Sequence, residues 1–119
     1  MAYMLFMTRL FQLLAILATL LVIYMSLRPS FSVEGASHSD KAMHFFAYAV
    51  LAGLTRLGWP RLWGGWIVVG FIALGIALEI GQHMMAQGRT GSILDALANS
   101  LGVIVVSLIF LFYRRRGSI

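Results

Sequence analysis

The sequence lacks cysteine and has little charge, and each shortage excludes a class of protein. Its 119 residues include no cysteine and only two prolines, and charged residues make up 11% of the chain. Without cysteine there are no disulfides, no thiol nucleophile and no cysteine-ligated metal. So few charges argue against a small soluble domain, whose surface must be mostly polar. A chain of this length leaves room for one compact domain and not for two.

Apolar residues take the place of the missing charge, at 61% of the chain. A membrane-spanning helix needs about 20 mostly apolar residues, and four such runs occur, at about 5–27, 41–57, 62–84 and 92–113. We therefore predict an all-α membrane protein, a single domain over 1–119 with four transmembrane helices and short loops. Asp40 or Ser39 is the predicted N-cap of the second helix. A signal peptide is the alternative interpretation of the first run, but no small-residue cleavage site follows it directly.

The charges of the predicted loops indicate an orientation. An even number of spans puts both ends of the chain on one side. That side carries no acidic residue and six basic ones: Arg9, Arg56, Arg61, Arg114, Arg115 and Arg116. By the positive-inside rule this side is cytoplasmic, which predicts an N-in, C-in protein of the bacterial cytoplasmic (inner) membrane. The net charge of +5 is then a topology signal. We expect membrane lipids as partners and no nucleic acid.

Polar residues gather at the outer ends of the last three predicted helices. On each helix they recur at three- or four-residue spacing, which places them on one face. Charges inside a span cost about 2.5–3.5 kcal/mol each on insertion scales and persist mainly where they are paired or functional. The pattern predicts an outward-facing polar pocket built by these residues: Asp40, Lys41, His44, Tyr48, Glu79, Gln82, Arg89, Asp95 and Asn99.

The residue types suggest roles within this pocket. Lys41 and Arg89 suit a phosphate or a carboxylate. His44 is the candidate catalytic acid or base, with Glu79 orienting it or exchanging a proton, and the other seven residues are predicted to bind the ligand. We expect no metal and no other cofactor. A zinc site from His44, His83 and Glu79 has suitable ligand types, but the sequence shows no tight ligand spacing.

Three sequence stretches resemble the VanZ-like family of small membrane proteins, named for a teicoplanin-resistance protein. They are "DKAMHFFAYAVLAGL", "EIGQ" and "GRTGSILDALANSLG". The family pattern is Asp-Lys-x-x-His-Phe-x-x-Tyr, Glu-x-x-Gln, Arg and Asp-x-x-x-Asn-x-x-Gly, and the chain matches it at Asp40, Lys41, His44, Phe45, Tyr48, Glu79, Gln82, Arg89, Asp95, Asn99 and Gly102. The resemblance covers about 39–108, and the first helix matches only as a hydrophobic span. It implies lowered susceptibility to glycopeptide antibiotics through an effect on the cell envelope.

Several functions are compatible with this pattern. The pocket would bind, or act on, the headgroup of an envelope lipid or a lipid-linked cell-wall precursor. An enzyme is less favoured, because no nucleophile elbow, phosphate loop or metal signature is present. A small proton-coupled transporter would use Glu79 and need a homodimer, yet Glu79 lies near the end of its span and transporters bind near the midplane. Another possibility is a non-catalytic scaffold whose polar groups hold the helix ends together.

Overall fold

Within the residues that the structure describes, the chain forms four α-helices, as the apolar runs predict. The computed structural model describes residues 1–28, 37–84 and 93–117, and for 37–40 it describes the backbone. The helices are α1 (Ala2–Leu27), α2 (Ser37–Gly58), α3 (Gly64–Met84) and α4 (Ile93–Gly117). The prediction of an all-helical protein with four helices is therefore confirmed. Three of them, α1, α3 and α4, are long and apolar enough to cross a membrane, which indicates a membrane protein.

The polar ends of the helices differ from the prediction. Helix α2 begins at Ser37, so Asp40 and Ser39 lie inside its first turns, and the prediction that one of them is the N-cap is wrong. Helix α4 continues through the arginines that were expected to follow it, to Gly117. An apolar run shows where a helix meets lipid, whereas the backbone continues as helix into polar residues. Basic side chains in particular suit a helix C-terminus, because they interact favourably with the helix dipole.

Two hydrogen bonds from glutamine side chains define the relative directions of the helices. Gln12 Nε2 donates to the Gly58 carbonyl oxygen at 2.8 Å, which joins the first half of α1 to the end of α2. Gln82 Nε2 donates to the Ser26 carbonyl oxygen at 2.8 Å, which joins the last turns of α3 and α1. Helices α2 and α4 start side by side, at the site described below. Helices α1 and α3 therefore run in one direction, and α2 and α4 in the other.

Helices α2 and α4 approach each other closely at Gly102. A Cβ atom at this position would overlap the carbonyl oxygen of Phe45 and would lie 3.1 Å from the backbone nitrogen of Ala49. Further along the same helix pair, a Cβ atom at Gly53 would lie 3.7 Å from Cγ1 of Val106, an ordinary contact distance. Small residues permit such close approach of helices in membranes, where packing rather than water exclusion drives association.

The buried core lies between α2, α3 and α4. One cluster there is formed by Tyr48, Leu51, Ala52, Ile67 and Val103, and Ala15 and Leu78 are buried as well. Helix α1 packs on α2 and α3, and within the described residues it makes no contact with α4. Most large apolar side chains of α1 are exposed. Such extended apolar surface needs an apolar neighbour, and the lipid of a membrane supplies one.

Candidate functional site

His44 lies at the centre of the polar residues, and its ring approaches two side chains of α4. Its Nδ1 is 2.9 Å from Oδ1 of Asn99, and its Nε2 is 3.9 Å from Oδ2 of Asp95. An amide oxygen only accepts hydrogen bonds, so Nδ1 carries the hydrogen and donates a hydrogen bond to Asn99. In the neutral ring, the lone pair is therefore on Nε2, on the side of Asp95.

Glu79 of α3 completes a cluster of three titratable groups contributed by three helices. One ligand atom from each of His44, Glu79 and Asp95 lies within 4.8 Å of the other two. Glu79 is buried, with 7% of its surface exposed. The side chains of His44 and Asp95 are 22% and 19% exposed, so the cluster is open on their side. We call these three residues the acidic-histidine cluster. A molecule at the end of the bundle has access to it.

The close crossing at Gly102 explains why these side chains meet. Asp95, Asn99 and Gly102 follow one another at spacings of four and three residues, so they lie on the same face of α4. Because Gly102 holds this face against the backbone of Phe45, the preceding turns of α4 are directed at the start of α2. His44 precedes Phe45 and is thus placed opposite Asn99.

Tyr48 and Gly75 close the site on its inner side. Tyr48, one turn after His44, is 2% exposed. A Cβ atom at Gly75 would lie 3.2 Å from Nδ2 of Asn99 and 3.4 Å from Cε2 of Tyr48, so the glycine lets both side chains pack on the backbone of α3. Gly75 was not among the residues predicted from the sequence. Its position four residues before Glu79 is the sequence feature that points to it. Several other glycines of α3 lie in the same apolar context, so this feature does not distinguish Gly75 from them.

The other predicted site residues are placed differently. Lys41 is half-buried and lies one turn before His44 on the same face of α2. Gln82 is buried, but its amide is bonded to Ser26 of α1 rather than to the acidic-histidine cluster. Arg89 and the side chain of Asp40 lie outside the described residues. Within those residues the structure brings together His44, Tyr48, Glu79, Asp95 and Asn99. Glu79 was expected to orient His44, and the structure shows a hydrogen bond from His44 to Asn99.

His83, the third member of the zinc set considered from the sequence, is exposed at the end of α3. Among the described residues, the group able to surround one ion contains Asp95 in its place.

The bond from Gln82 to Ser26 predicts a structural role for this glutamine. We expect Gln82→Met, which keeps the side-chain length, to lower the free energy of unfolding by about 1 kcal/mol, because one buried hydrogen bond is lost. Thermal unfolding in detergent would measure the change. His83→Met, at an exposed neighbouring position, serves as the control and should leave stability unchanged. Equal stability of the two variants would contradict the structural role.

Comparisons of the sequence and the fold with protein-family models, with curated proteins and with solved structures give no match. The resemblance to the VanZ-like family thus stays a prediction. The described residues define a class of protein: a helical membrane protein with a partly accessible polar cluster shared by three helices at one end of the bundle.

Proposed function

We propose that this chain is a four-span protein of the bacterial cytoplasmic membrane that binds the polar headgroup of an envelope lipid or of a lipid-linked cell-wall precursor. The headgroup would lie at the outer ends of α2, α3 and α4, beside Lys41. The observation that best supports the proposal is the acidic-histidine cluster, which α2, α3 and α4 share at one end of the bundle. Sequestering or altering a precursor there would produce the lowered glycopeptide susceptibility that the family resemblance implies.

The proposal requires α2 to cross the membrane although its first turns are polar. Helix α2 has 22 residues, or about 33 Å of helix, against about 30 Å of hydrocarbon. It runs antiparallel to α1, and its last residue is bonded to Gln12 near the other end of the bundle. Its polar turns are those that hold Lys41 and His44. They would lie at the membrane surface, where water and lipid headgroups solvate them.

The opposite end of the bundle has the features of a cytoplasmic interface. Trp63 and Trp66 are exposed there and contact each other edge to face, as aromatic residues do at the boundary of a membrane. Arg56 and Arg114 line a cavity of about 320 Å³ at the same end. With this end facing the cytoplasm, the acidic-histidine cluster faces outward.

The cavity lined by Arg56 and Arg114 is the alternative binding site for an anionic headgroup. The alternative to headgroup binding is a non-catalytic scaffold. A transporter is disfavoured, because the cluster lies at the end of the bundle and not at its middle. If the bound headgroup is chemically altered, His44 is the residue to transfer the proton, since Nδ1 is held by Asn99 and Nε2 lies on the side of the partly exposed Asp95.

Binding of defined lipids to variants of the purified protein tests the proposal. The probes are a polyprenyl diphosphate and phosphatidylglycerol, added to protein in detergent and followed by native mass spectrometry. We expect Lys41→Gln to weaken binding of the preferred lipid by about tenfold or more, the effect of losing one charged hydrogen bond of about 1.5–3 kcal/mol. Arg114→Gln, in the other cavity, should leave that binding unchanged.

Two outcomes would overturn this assignment. Loss of binding in Arg114→Gln with normal binding in Lys41→Gln would move the ligand to the cavity at the other end. Loss of folded protein in Lys41→Gln, together with no binding of either lipid to the native chain, would favour the scaffold.

A further inference from the structure

The acidic-histidine cluster has the composition of a metal site. It offers one imidazole nitrogen and two carboxylates, contributed by α2, α3 and α4. Nitrogen and carboxylate oxygen together are ligands that proteins use for Zn²⁺ and for related divalent transition metals. We propose that His44, Glu79 and Asp95 bind one such ion. The proposal rests on the geometry of these three residues and does not depend on the identity of any headgroup.

The distances are close to those that a bound ion requires. With metal–ligand bonds of about 2.1 Å, the ligand atoms of a tetrahedral site lie about 3.4 Å apart. Nε2 of His44 and Oδ2 of Asp95 are 3.9 Å apart, and the three ligand atoms lie within 4.8 Å of one another. Ligation therefore needs an approach of about 1 Å, which side-chain rotation provides without moving a helix.

Asn99 prepares His44 for this role. Histidines that bind a metal through one nitrogen almost always donate a hydrogen bond from the other, which fixes the tautomer and the orientation of the ring. Here Nδ1 donates to Oδ1 of Asn99 at 2.9 Å, so Nε2 is the nitrogen that remains for a metal. Asn99 is itself 2% exposed and packs on Gly75, so the orientation of the ring is well defined.

The charges of the cluster also favour a cation. Glu79 and Asp95 place two carboxylates within 4.8 Å, and one of them is buried near the apolar core. A divalent cation is attracted to both carboxylates, more strongly in an apolar environment than in water.

Three protein ligands leave at least one coordination position open. The side chains of His44 and Asp95 are 22% and 19% exposed, so a molecule can reach the site from their side. Open sites with three protein ligands are typical of zinc that binds water or substrate. A bound ion would also attract a phosphate or carboxylate oxygen to its open coordination position.

Metal titration of the full-length chain in detergent tests the site, with the protein purified through a tag that contains no histidine. We expect Zn²⁺ to bind at one ion per chain with micromolar or tighter affinity and to raise the midpoint of thermal unfolding. Co²⁺ should bind the same site with absorption bands of a nitrogen and oxygen environment. Asp95→Asn and Glu79→Gln should weaken Zn²⁺ binding by about 100-fold or more, at least as much as loss of an outer-shell partner does.

His83→Gln is the matched control, because His83 is exposed at the same end of the bundle and outside the cluster. It should bind Zn²⁺ like the native chain. Equal affinity of the native chain and Asp95→Asn, or loss of binding in His83→Gln, would show surface binding only and overturn the proposal. So would a native chain that binds neither ion. Asp95 is partly exposed, so Asp95→Asn is expected to fold even if the buried Glu79→Gln does not.

Lys41→Gln separates this inference from the proposed function. It is expected to bind Zn²⁺ normally while losing affinity for the lipid headgroup. If the native chain binds Zn²⁺ and no lipid, the metal site stands and the headgroup proposal fails. The reverse result leaves the headgroup proposal in place and removes the metal.

Discussion

Gly102→Ala is expected to destabilise the protein by about 2 kcal/mol or more, although alanine is the better helix former. The added Cβ would overlap the carbonyl oxygen of Phe45 and press on the backbone nitrogen of Ala49. Backbone atoms cannot rotate away as a flexible side chain can. The helices α2 and α4 must therefore separate. Separation loosens their packing and also draws Asn99 away from His44, so binding at the site should fall together with stability.

Two other glycine substitutions provide matched controls for this prediction. Gly53 lies in the same helix pair, but a Cβ there meets Val106 at 3.7 Å, so Gly53→Ala should be close to neutral. Gly70 in α3 has open space around it, and Gly70→Ala should stabilise the helix by up to about 1 kcal/mol. Thermal unfolding in detergent and the yield of folded protein would rank the three variants. Similar behaviour of all three would mean that the crossing at Gly102 is not a tight one.

The sequence was sufficient to predict the four helices, because long apolar runs and their breaks are local features of a chain. It did not locate the polar ends of α2 and α4. The residues that follow Ser37 and those that precede Gly117 are polar enough to be either loop or exposed helix. Their state depends on tertiary contacts and on the solvent at the end of the bundle.

The composition of the site was largely predictable, and its internal contacts were not. Helical spacing places Asp95 and Asn99 on one face of α4, and polar ends at one level imply that they meet residues of α2 and α3. Which atoms meet depends on the rotation and crossing of the helices, which Gly102 controls. For this reason the sequence could not distinguish Asn99 from Glu79 as the partner of His44.

The membrane topology gives the prediction with the clearest readout, because the chain contains no cysteine. A single introduced cysteine is thus the only thiol of the chain that a membrane-impermeant maleimide can label. Tyr3, Met84 and Tyr113 are suitable positions, because all three are largely exposed and lie near helix ends. In the proposed N-in, four-span arrangement, Met84→Cys should react in intact cells, whereas Tyr3→Cys and Tyr113→Cys should react only after the membrane is opened.

Each alternative arrangement predicts a different labelling pattern. If α2 does not cross the membrane, α1 and α3 must cross in opposite directions, and positions 3 and 84 would then react from the same side. That outcome would also contradict the hydrogen bond between Gln82 and Ser26, which joins the ends of α3 and α1. If four spans are inserted in the opposite orientation, Tyr3→Cys and Tyr113→Cys would react in intact cells and Met84→Cys would not. The acidic-histidine cluster would then face the cytoplasm, and its ligand would have to be a cytoplasmic one.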